Sequence, residues 1–149
     1  MRLAIRSGAP PAVWRRRRRR ITIKAGSTGV HAAALACLRR DLPAFHYMVA
    51  VAGGDSVRLV PYFTFGSQAL SVAVAGAMRE RDACLMSNHG LVAAGSTLAR
   101  AMKVAQEIES LCDVYLKALA AGEPALLNAA EMAEVLQKFG SYGRSARAD

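Results

Sequence analysis

The chain has 149 residues, with 20 basic and 11 acidic side chains, a formal charge of +9 and 53% hydrophobic residues. That length and hydrophobic share predict one packed domain with a sizeable core and argue against intrinsic disorder, and no apolar stretch approaches the ~20 residues of a bilayer span. The three cysteines, Cys37, Cys84 and Cys112, show no CxxC spacing and lie among apolar residues. They predict small core residues of a cytoplasmic protein, neither a disulfide framework nor a zinc knuckle.

The charge excess is local. Residues 1–24 hold nine basic side chains, including the run Arg15 to Arg20, and no acidic one, so the remaining eleven basic residues balance all eleven acidic ones. Six consecutive like charges repel and resist packing, which makes residues 1–29 a solvated leader able to bind polyanions such as nucleic acid only non-specifically, through its phosphates. No apolar segment follows the arginines, so a secretory signal is not indicated. A frameshift, a wrong start or a deliberate fusion would each place such a leader before an unrelated domain.

From Val30 the pattern becomes orderly. Val30 to Arg40 is rich in alanine and leucine and predicts a helix closed by basic residues and broken at Pro43. Phe45 to Val51 (FHYMVAV) is aromatic and β-branched and predicts a strand, with Gly53-Gly54 turning the chain; on such a strand His46 and Tyr47 would face opposite sides. Val57 to Val60 is a second short strand candidate. Ser67 is placed to cap a helix from Gln68 to about Arg81, with Leu70, Val74 and Met78 on one face.

The next stretch, Asp82 to Gly95 (DACLMSNHGLVAAG), is the one the chain is organised around. Ala83 to Met86 predicts a short buried strand, Ser87 to Gly90 a tight polar turn and Leu91 to Ala94 a second apolar run. The turn holds up one imidazole, His89. A neutral imidazole is the commonest protein ligand of zinc, and the alternative is a turn histidine bonded to its own loop. Beyond it, Ser96 is the expected cap of a long helix from Thr97 to Ala121, with Leu98, Met102, Ala105, Ile108, Leu111, Tyr115 and Leu119 along its packed face. Asn128 and Glu131 have the spacing of a capping box for a last helix, Ala129 to Phe139, stopped by Gly140, and residues 144–149 form a polar tail.

The segments PAFHYMVAVAGGDS (Pro43 to Ser56), PYFTFGS (Pro61 to Ser67), LMSNHGLVAAG (Leu85 to Gly95), AQEIESLCDVYL (Ala105 to Leu116) and LQKFGSYG (Leu136 to Gly143) together resemble the class II aldolase/adducin family over residues 30–143. The HYM, AGG, TFG and KFxxYG pieces lean toward its branch that acts on L-fuculose 1-phosphate. The resemblance implies a three-layer α/β/α fold with a central, mainly antiparallel sheet, incomplete at its N-terminal side, and a homotetramer with active sites between subunits. It implies zinc-dependent aldol cleavage of a sugar phosphate to dihydroxyacetone phosphate and an aldehyde.

Residue by residue, the resemblance makes His89 a zinc ligand. Tyr47 becomes the proton-transfer residue that reaches a neighbouring subunit's site, and Phe65 and Tyr142 become lid and aldehyde-pocket residues. The family's other two zinc ligands fall at Gly26 and Thr28, which cannot replace imidazoles, and its catalytic glutamate has no counterpart in residues 1–24. His31 matches a later histidine that is not normally a ligand and is the weaker candidate. A metal-free assembly domain, as in the adducin branch, and a polyanion binder acting through Arg15 to Arg20 remain as alternatives.

Overall fold

The computed structural model describes residues 21–25 and 29–142, and side chains over 29–140. A four-stranded sheet runs in the order β1 (Ile21–Ala25), β4 (Gly90–Gly95), β3 (Ala83–Met86), β2 (Leu59–Val60). β1 and β3 flank β4 antiparallel, and β2 joins β3 in parallel. The helices are α1 (Val30–Cys37), α2 (Gln68–Ala77), α3 (Leu98–Ala121) and α4 (Ala129–Tyr142), with a 3-10 helix at Tyr47–Ala52.

Every residue of β3 and β4 is buried. Because successive side chains of a strand point to opposite faces, the two strands feed two clusters. Ala83, Leu85, Leu91 and Ala93 pack with Leu35 of α1 and Val104, Ile108 and Leu111 of α3. Cys84, Met86, Val92 and Ala94 pack with Leu70 of α2 and with Met78. A short, wholly apolar run is what a strand covered on both faces needs. Among the described residues no helix is long and apolar enough to cross a membrane.

Several elements follow the sequence closely. Ser67 caps α2 by accepting from the Leu70 amide at 3.2 Å. The Asn128 amide donates to Glu131 Oε2 at 2.7 Å, while Asn128 Oδ1 accepts from the Ala130 and Glu131 amides at 2.9 and 3.0 Å, which completes the expected capping box.

Other elements differ, each for a local reason. Phe45 to Val51 is not a strand: a 3-10 helix starts at Tyr47, capped by His46 and ended by Gly53 in the left-handed region at φ 84°. Its β-branched residues suit burial, which β propensity largely measures, and Val49 to Ala52 are indeed buried. Helix α1 stops at Cys37, before the expected Arg40, because Arg39 turns to φ 55°. Likewise α2 ends at Ala77, before the left-handed Glu80.

The cap of α3 is Thr97, not Ser96, and its Oγ1 accepts from the Arg100 amide at 3.1 Å. Leu98 and Met102 are exposed while Ala101 and Val104 are buried, so the packed seam is rotated from the expected one in the first turns. Helix α4 runs through Gly140 to Tyr142. Cys37 is exposed, and only Cys84 and Cys112 are core residues. Strand β1 lies inside the stretch read as leader; the arginine run lies outside the described residues.

Candidate functional site

The turn between β3 and β4 is fixed by its backbone from three directions. The buried Ser87 donates both its hydroxyl, at 2.8 Å, and its amide, at 3.0 Å, to the Val60 carbonyl at the end of β2. Asn88, at φ 54°, donates its amide to the Ala36 carbonyl of α1 at 3.2 Å, and its Oδ1 accepts from Arg39 Nε at 3.2 Å. The His89 amide closes the turn on the Met86 carbonyl at 3.0 Å. Gly90 follows at φ 135°, a conformation that side chains rarely adopt. These contacts leave His89 half-buried at the tip of a rigid hairpin.

The same end of the sheet is where other segments leave it. β2 is parallel to β3, so Pro61 to Ser67 departs beside the turn, and this loop carries Phe65, 77% exposed. β1 ends with Ala25 opposite Leu91. Gly26 and Thr28 come next in the chain and lie outside the described residues.

The 3-10 helix is tied at its far end to the opposite end of β3, where the Asp82 amide donates to the Ala52 carbonyl at 2.6 Å. Tyr47 is 51% exposed, and its ring stacks on His46 rather than facing away from it. Tyr142 closes α4, and its side chain lies outside the described ones.

His31 sits in the first turn of α1, with Nδ1 2.9 Å from Glu109 Oε1 and Nε2 3.3 Å from Asp113 Oδ1. Glu109 also accepts from the His31 and Ala32 amides, at 2.7 and 2.9 Å, and so caps a helix whose own N-cap residue, Gly29, has no side chain to offer. Asp113 is held below the usual carboxylate value by its hydrogen bond from Lys117, with the neighbouring His31 a smaller cause and partial burial opposing both. Glu109 is the residue that sequence reasoning missed. Nothing in AQEIES announces a partner 78 positions away.

These donors do not fit a tight zinc centre. Three protein ligands are the least that such a site needs, and among the described residues no three His, Cys, Asp or Glu side chains form a metal set. His31 has both ring nitrogens on carboxylates, and His46 Nδ1 accepts from the Met48 amide at 3.2 Å. Burial pushes the Cys84 thiol up to about 12, and burial with the nearby Glu109 charge does the same to Cys112, so neither offers a thiolate near neutral pH.

Residues 28–116 match the family model described as Class II Aldolase and Adducin N-terminal domain. The 5-methylthioribulose-1-phosphate/5-deoxyribulose-1-phosphate aldolase of Rhodospirillum rubrum is 50% identical over 113 residues, covering 76% of this chain and 51% of the relative. The L-fuculose phosphate aldolase of Escherichia coli K12 is 45% identical over 115 residues, covering 76% and 54%. A solved L-fuculose 1-phosphate aldolase superposes with a TM-score of 0.71 at 42% identity, over 74% of this chain and 52% of that one. The chain thus spans about half the length of these relatives.

Proposed function

We propose, because this chain belongs to the class II aldolase and adducin family, that it carries the domain of an aldehyde-lyase for short ketose 1-phosphates, of the kind that releases dihydroxyacetone phosphate and an aldehyde, without the full ligand set for that reaction. The two relatives' names, L-fuculose phosphate aldolase and 5-methylthioribulose-1-phosphate/5-deoxyribulose-1-phosphate aldolase, support that substrate class without choosing within it. The observation that carries the reading is the His89 turn, an imidazole on a backbone pinned by Ser87, Asn88 and Gly90 inside the matched residues. The family's metal, when bound, supplies Lewis-acid stabilisation of charge developing on the substrate's oxygens.

The remaining roles are assigned on the same basis. Tyr47 corresponds to the residue that moves a proton near the aldehyde end in a neighbouring subunit's site, a role supported by its half-exposed ring. Phe65 and Tyr142 cover the aldehyde pocket. The fold is completed as three layers, α/β/α, around the mainly antiparallel sheet, and the protein is a cytoplasmic homotetramer. Residues 30–143 form the aldolase-like domain, preceded by residues 1–29, whose Ile21–Ala25 strand joins its sheet and whose Arg15 to Arg20 run binds polyanions non-specifically.

As it stands, this chain holds one of the three family ligands, with glycine and threonine at the other two positions, and therefore neither retains stoichiometric zinc nor cleaves the substrate. The test is the zinc content of the purified, tag-free chain against its His89→Ala variant. Equal, background zinc in both is the expected result, leaving a metal-free domain that assembles without chemistry. Stoichiometric zinc that disappears in the variant would overturn that part and call for a cleavage assay on L-fuculose 1-phosphate.

A further inference from the structure

Four aromatic rings lead from the core to the surface beside the 3-10 helix. Tyr115 of α3 is 7% exposed. Phe45 packs against it, with centroids 5.0 Å apart and planes at 50°. His46 follows at 6.0 Å from Phe45 and 46°. Tyr47 then stacks on His46 at 4.8 Å and 26°, and is the exposed end of the series. The His46 ring has a second engagement, since its Nδ1 accepts the Met48 amide at 3.2 Å.

We propose that His46 is the positioning residue of Tyr47, fixing the direction in which the phenol leaves the surface. A half-exposed tyrosine has several staggered rotamers open to it, and a neighbouring ring in offset contact favours one of them. That contact selects a direction only if the imidazole is itself fixed. The Met48 amide fixes it on one edge, and the tilted Phe45 ring, seated on Tyr115, backs it. Turning His46 away would release the Met48 amide and uncover the Tyr47 ring together. The bond to Met48 also sets the neutral tautomer, with Nδ1 the acceptor and Nε2 carrying the proton. The inference deepens the reading of Tyr47 as a proton-transfer residue and rests on that reading for its meaning, because a phenol that must reach a neighbouring site gains from being aimed before it arrives.

Two substitutions separate the two contacts. His46→Asn keeps a side-chain acceptor two residues before the Met48 amide and removes the ring. His46→Phe keeps a ring for Tyr47 and removes the acceptor. The full chain is labelled with ring-13C tyrosine, and the Tyr47 signals are assigned by their loss in Tyr47→Phe. The expected result is a ring-current displacement of Tyr47 that is lost in the Asn variant and recovered in the Phe variant. The Met48 amide exchanges faster in the Phe variant than in the Asn variant, and the Tyr62 signals stay in place throughout.

Tyr47 signals in His46→Asn that coincide with those of the parent would overturn the proposal. So would Tyr47 signals in His46→Phe that match those of His46→Asn. Neither measurement involves zinc or cleavage. A failed zinc prediction therefore leaves this one standing, and the reverse is also true.

Discussion

At His31 the ring is what the protein holds: Glu109 and Asp113 take its two nitrogens, and Glu109 takes the amides of the same helix turn as well. At His89 it is the backbone, closed on Met86, with Ser87 tied to β2 and Asn88 to α1. A ring hydrogen-bonded to one carboxylate of α3 and set beside a second ties one helix to another. At His89 the described contacts hold the backbone of the turn at the sheet's end. Stability should therefore depend on the partners of His31 and on the strands beneath His89.

The strands give the largest expected effect. Leu91 is fully buried where the hairpin meets α1 and α3, so Leu91→Ala should cost about 2–5 kcal/mol in a guanidinium titration. His89→Ala should cost less, because His89 belongs to neither buried cluster. Equal losses would mean that the His89 ring is itself structural, and the contrast with His31 would fail.

Next in size is Glu109→Ala. It removes the carboxylate that caps α1 and one of the two partners of His31, and should cost about 1–3 kcal/mol from cap and hydrogen-bond losses together. His31→Ala should cost less, because Glu109 keeps both helix amides. A Glu109 loss no larger than that of His89→Ala would show that α1 does not depend on its borrowed cap.

The same contrast marks how far the sequence could be read. The hairpin was legible because its signals are contiguous: four apolar residues, a polar turn with glycine, then another apolar run. Ser67 and the Asn128–Glu131 pair were legible because caps act within three positions. His31 and Glu109 were not, since their contact depends on how α1 and α3 pack. The 3-10 helix was misread because an aromatic, β-branched segment fits a buried helix turn as well as a strand, and its cap is a histidine, outside the usual capping residues. Strand β1 was missed because the charge of its neighbours dominated the reading, whereas its pairing comes from β4. At the candidate site, the sequence named His89 and the turn that carries it; the buried Ser87 tie to Val60 needed the fold.

The smallest effect probes the outer partner of His31. Asp113 accepts from Lys117 at 2.7 Å and lies beside His31, and the Lys117 bond is the largest cause of its lowered carboxyl value. A carboxylate whose folded value is depressed contributes stability above its unfolded value and loses that contribution as pH falls through the folded one. Lys117→Ala should thus move the Asp113 carboxyl back up in an NMR titration. Any stability difference from the parent should vanish at pH below the folded Asp113 value, where both proteins carry the neutral acid. A further rise on adding His31→Ala would give His31 its smaller share. If Lys117→Ala leaves the titration in place, the hydrogen bond is not what lowers Asp113, and His31 must hold the carboxylate more strongly than its 3.3 Å contact implies.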